Sequence, residues 1–174
     1  RVAQLKSAVE EADACAGRIG IPYFSAFWAT YGASALLLMH DVERTRSNAE
    51  HGRRLATEHG FSSVQMKAAM LLGWCDVVEG RAEEGRAAVI AGYAAFLASG
   101  ERTSTTAWQV ILVEAHLACG DVASAHEVLD GRAREARHVV GDLGCEGDAE
   151  HGEAQGVDAA QRALEGVSGH AWRS

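Results

Sequence analysis

Apolar residues recur along this chain at helical spacing, and the stretches that carry them recur about every forty residues. Between Phe61 and Leu97 there are two such stretches. Gly60-Phe61 opens the interval, Gly80-Arg81 divides it and Gly100-Glu101 closes it. Shifted by forty, the same punctuation reads Gly20-Ile21 and His40-Asp41 on one side and Gly120-Asp121 on the other. Each stretch is long enough for an α-helix, and apolar positions at i, i+3, i+4 and i+7 predict one. Self-similarity at this period predicts stacked helix hairpins, each of which buries its apolar face only against its neighbours. The expected fold class is all-α, with about three repeats.

The first element predicted is a helix over 2–16, with Val2, Leu5, Val9 and Ala12 on one side, ended by Gly17 and Gly20. By the forty-residue spacing it is the second helix of a hairpin, so the chain is expected to start within a repeat. Pro22 suits a first helical turn, where its missing N–H costs nothing. From Tyr23 to Met39 the sequence is apolar nearly all round, which predicts a helix buried on most sides. Asp41 is expected to cap the partner helix, which runs to about His59 with Arg44, Arg46, Arg53 and Arg54 facing outward. Ser62 or Ser63 is expected to cap the next helix through Val78, followed by Ala82–Ala98. Thr103 or Ser104 opens the third pair, which continues past Gly120-Asp121 through Val122, Ala125, Val128 and Leu129. The repeat domain is expected over 1–138. Glycines and acidic residues then crowd the sequence, predicting a largely disordered tail at 139–174 with room for a short helix over 157–165.

The net charge of −8 disfavours binding to nucleic acid or to an anionic membrane, both of which need a basic field. No apolar run approaches the roughly 20 residues needed to span a bilayer. Cys15, Cys75, Cys119 and Cys145 form no CxxC pair and are expected to be buried free thiols in a reducing cytosol, and the expected location is cytoplasmic. The chain begins at Arg1 without an initiator methionine, which is read as a fragment of a longer protein.

Five short stretches taken together carry a resemblance: Gly20-Ile21-Pro22-Tyr23-Phe24-Ser25-Ala26-Phe27, Thr57-Glu58-His59-Gly60-Phe61, Leu72-Gly73-Trp74, Glu83-Glu84-Gly85 and Leu112-Val113-Glu114-Ala115-His116. Over roughly residues 1–135 the chain resembles the C-terminal tetratricopeptide-like region of large bacterial signal-transduction ATPases. These carry an adenylate or guanylate cyclase domain, or a DNA-binding transcriptional-activator domain, at the other end. The resemblance implies a right-handed superhelix that acts as a non-catalytic interaction and regulatory scaffold. Its implied partners are another protein or other domains of the same parent chain. The alternative it implies is sensing of a small-molecule effector that controls the parent's output. The pattern departs after Leu129-Asp130, where the family continues into another hairpin. A period near forty is also longer than the usual tetratricopeptide unit of about 34 residues and closer to HEAT-type repeats.

Catalytic and metal motifs are lacking. His51 and His59 share a helix face but stand about 12 Å apart by helical rise, too far for one ion. His126-Glu127 has no second histidine at metalloprotease spacing, and neither a phosphate-binding loop nor a nucleophile elbow occurs. No metal or cofactor is expected. Trp28, Trp74 and Trp108 all fall on first helices, where they serve either the core or a groove. Register transferred from the family places Phe27, Thr30, Ser34, Lys67, Met70, Trp74, Val110 and Glu114 along a concave groove. Aromatic anchors there would supply binding energy.

Overall fold

A computed structural model of the chain describes residues 2–102 and 104–131. The chain divides into Arg1–Arg132 and Ala133–Ser174, and the described residues all fall in the first unit. The expected tail at 139–174, its short helix and Cys145 lie outside them.

Among the described residues the fold is all-helical: α1 Val2–Ile19, α2 Pro22–Leu37, α3 Val42–His59, α4 Ser62–Val78, α5 Ala82–Ala98 and α6 Thr105–Ala118. A seventh helix, α7, occupies 122–131. From α1 to α6 each helix packs on the next, and the first helices α2, α4 and α6 also touch in series. α1 runs through Gly17 to Ile19 and stops at Gly20, so the expected end at residue 16 is corrected by one turn. A single glycine costs a helix about 1 kcal/mol, too little to break one already docked on a neighbour.

The turns set the ruler. Residues 20, 40, 60, 80, 100 and 120 all take positive φ, between 52° and 92°, and all but His40 are glycine. A left-handed residue just past a helix end lets its N–H reach back to a free carbonyl. His40 does this without glycine, donating its N–H to the Leu37 carbonyl at 2.8 Å. Asp41 caps α3 as expected, accepting from the Arg44 N–H. Ser62 and Ser63 do not cap α4: Phe61 holds the cap position, and the Ser63 hydroxyl is turned to Glu101 instead. Ser104 stands before α6 in left-handed backbone with no side-chain cap.

Within each hairpin the two helices cross at equivalent residues. Gly52 of α3 lies against Thr30 and the Ala26 carbonyl, and forty residues on Gly92 of α5 lies against Met70 and the Met66 carbonyl. Thr45, Gly85 and Ala125, also forty apart, are each buried. The core follows this line from Ala33 and Leu37 through Leu71, Trp74 and Val89 to Phe96, Trp108 and Ile111.

Basic residues at positions 6, 46 and 86 latch one hairpin to the next. Lys6 pairs with Asp41, Arg46 with Asp76 at 2.7 Å and Glu79 at 2.9 Å, and Arg86 with Asp121 at 3.3 Å. The expectation that Arg46 faces outward is therefore corrected, because its guanidinium lies half-buried in a carboxylate pair. Burial alone would raise the Asp76 carboxyl, but hydrogen bonds from Arg81 and Arg46 outweigh it and hold the group below its ordinary value. Arg46→Ala is expected to cost about 1 kcal/mol in urea unfolding, with the loss shrinking in high salt. Arg44→Ala, which breaks a more exposed pair with Glu10, is expected to cost nothing measurable. Equal losses for the two variants would show that the half-buried latch has no special weight.

Candidate functional site

α2 breaks the expectation of burial on most sides. Tyr23, Phe24 and Trp28 are 42 %, 41 % and 42 % exposed, and Leu38 just beyond the helix is 70 % exposed. The reason lies in the stacking. A first helix is sealed along one edge by the first helix before it, whereas α2 packs mainly on α1, α3 and α4, and no first helix among the described residues precedes it.

The rings of α2 fall into a row. Residues 23, 27 and 31 are four apart and lie above one another on the helix surface. Tyr23 and Phe27 stack with centroids 6.0 Å apart, Phe27 and Tyr31 at 4.3 Å, and Tyr31 meets Trp108 of α6 edge-on at 6.5 Å. Phe61 closes the outer end of the row, 5.2 Å from Tyr23. The row is thus open to solvent at Tyr23 and anchored in the core at Trp108.

Beneath it lies Lys67, only 3 % exposed. Its ammonium pairs with Glu101 and approaches the Ser63 hydroxyl at 3.1 Å. It also stands 5.7 Å from the Tyr31 ring centre and 5.9 Å from that of Phe96. Two ring faces and one carboxylate offset the loss of its hydration. Ser63 and Lys67 sit forty residues after Tyr23 and Phe27, as Glu101 does after Phe61. The contact made by rings in one repeat is made by charges in the next.

The structure separates the groove residues expected from sequence. Thr30 and Met70 are buried where the first helix crosses the second, Thr30 bonding back to Ala26 at 2.9 Å, so neither lines a groove. Trp74 is sealed too, its indole N–H donating to Glu114, with His40 5.9 Å away. Lys67 is enclosed as described. Phe27, Ser34, Val110 and Glu114 keep solvent exposure. Tyr23 and Phe24 belong to the open surface, with Phe61 partly buried beside them, and the transferred register places none of the three in the groove. Trp28 was marked for core or groove and proves exposed, whereas Trp74 and Trp108 are core.

The remaining chemistry is modest. Among the described residues no group of three His, Cys, Asp or Glu side chains lies close enough to hold a metal ion. Burial pushes the Cys75 thiol up to about 11, and its Sγ faces the Val42 carbonyl at 3.8 Å. Cys15 is exposed and Cys119 half-exposed, so burial of every thiol does not hold. A cleft of about 180 Å³ between α1, α2 and α3 is lined by Lys6, Val9, Glu10, Leu36, Arg44, Ser47 and Asn48. It is smaller than the roughly 300–1,000 Å³ of drug-sized sites. No helix among the described residues is long and apolar enough to cross a membrane.

The described part of the molecule is a stack of helix hairpins with an open aromatic surface on one first helix. Neither a protein-family model, a curated protein nor a solved structure matches the chain.

Proposed function

We propose that this chain is a protein-interaction module, a right-handed tetratricopeptide-like superhelix that serves as a regulatory scaffold in a cytoplasmic bacterial signalling ATPase. The supporting observation is the ring row Tyr23–Phe27–Tyr31, half open to solvent and fixed from below by Lys67 and Trp108. Rings already locked by stacking lose little entropy on binding, and such residues dominate interface energies. The turn residues spaced by twenty and the crossings spaced by forty support the repeat reading. The chemistry of the row suits a peptide or helix with aliphatic side chains, offered by a partner or by another domain of the parent polypeptide.

The test is a photo-crosslinking residue at position 27, introduced into the natural protein in its own cells. A specific adduct is expected, and Phe27→Ala should weaken the isolated interaction at least tenfold. Crosslinks no more frequent than from exposed Glu58 of α3 would remove the proposal.

A further inference from the structure

The ring row is one uncovered feature of α2; the edge beside it is another. Phe24, Trp28 and Ala35 form a stripe at spacings of four and seven along the helix. Their equivalents forty residues on, Val64, Ala68 and Cys75, are at 2 % exposure or below. Trp108 and Ala115, eighty residues on, are equally sealed, while Ser104, just ahead of α6, is exposed. On α4 the cover comes from the preceding hairpin: Val64 packs on Ala26 of α2 and Ala56 of α3. α1 shows the same deficit independently. Leu5 is 39 % exposed and Val9 and Ala12 are half-exposed, whereas Thr45, Ala49 and Gly52 of α3, and Gly85, Val89 and Gly92 of α5, are buried. Those stripes are sealed by the first helix of their own hairpin.

One object would fill both vacancies. We infer that the trough between α1 and α2 is a docking site for a single further α-helix of the same polypeptide. It lies parallel to α2 and antiparallel to α1, and ends in a left-handed turn beside α1. The inference rests on continuity with the interfaces that α2 makes on α4 and α4 on α6. It does not depend on the proposed scaffold role. The occupant carries small residues towards Leu5 and Ala12, as Ala26 and Thr30 do towards Gly52, while Val9 already rests on Gly32 of α2. It turns apolar residues towards Phe24 and Trp28, both of which are exposed.

The register supplies the probe. A copy of residues 62–80 placed directly ahead of Arg1 keeps the forty-residue spacing, because Arg1 then follows it as Arg81 follows Gly80. Met70→Ala in that copy makes room for Ala12 where α5 has Gly92. Compared with the same segment in scrambled order, the graft is expected to raise Tm by about 5 °C and to slow amide exchange in α1 at least tenfold. Leu5→Glu or Trp28→Glu should erase both gains in the grafted chain while barely changing the ungrafted one. A graft that gives neither gain, or gains untouched by those substitutions, overturns the inference. So does a concentration-dependent dimer of the ungrafted chain abolished by Trp28→Glu, which would assign the trough to a second copy. Protection of Trp28 that is lost on truncation after residue 131 would overturn it as well, by assigning the trough to the chain's own carboxy-terminal part.

Discussion

Gly85→Ala is expected to destabilise the fold by about 3 kcal/mol, read as a lowered urea midpoint at unchanged slope. On an open helix the same change is favourable by about 1 kcal/mol, because alanine is the better helix former. At position 85 the new methyl would lie 2.7 Å from both the Val77 amide nitrogen and its Cγ2, and against the Gly73 carbonyl. Two of these three obstacles are backbone, so relief requires α4 and α5 to move apart along their whole crossing. Separation there also loosens Val89 and Trp74, which share the same core. Gly92→Ala should cost less. Its worst neighbour is the Met70 side chain, at 2.6 Å, which can rotate, although the Met66 carbonyl at 3.2 Å limits the relief. Gly17→Ala should have the opposite sign, since Gly17 is an exposed helical residue with nothing within 4 Å of the added methyl. A Gly85→Ala protein as stable as the parent would mean that the two helices do not meet at this distance.

Those glycines show what a sequence discloses of such a fold. Period and punctuation placed the helices within a turn or two, because positive φ at every twentieth residue demands glycine or a tolerant substitute, and His40 was readable as one. Gly73, Gly85 and Gly92, inside otherwise good helices, stand where the hairpins cross closely. Which face of each first helix is open was not legible. Thr30, Met70 and Trp74 have the right spacing for a groove, but spacing cannot say whether the neighbouring hairpin curls over it. Here Thr30 and Met70 turn to Gly52 and Gly92 of the second helices, and Trp74 is covered by Glu114 and His40. The misreading of α2 has a different cause. An all-apolar helix reads as buried whether its cover is present or lies elsewhere, so Phe24 and Trp28 carried no local sign of exposure. Comparing them with Val64 and Ala68, at the same place in the next repeat, is the step that exposes the difference.

Glu101→Ala is expected to cost about 3 kcal/mol, whereas Lys67→Met, which removes the charge and keeps the length, should cost no more than about 1 kcal/mol. The asymmetry follows from burial. Lys67 is 3 % exposed and Glu101 is 25 % exposed, so removing the carboxylate strands an ammonium under two rings with only the Ser63 hydroxyl left. Removing the lysine leaves a carboxylate that water still reaches and that Ser63 still serves at 2.6 Å. The pair also sets a pH dependence. Burial alone would raise the Glu101 carboxyl, but hydrogen bonds from Lys67 and Ser63 win and hold it below its ordinary value. A carboxyl depressed in the folded state stabilises the fold fully above its unfolded value of roughly 4.3, and loses that contribution as pH falls through the lower folded value. Stability measured from pH 6 downward should therefore fall less steeply in Lys67→Met than in the parent, the parent losing its advantage as Glu101 is protonated. Parallel curves at every pH would show that the Lys67–Glu101 pair does not hold the carboxylate, and that the rings alone keep the lysine in place.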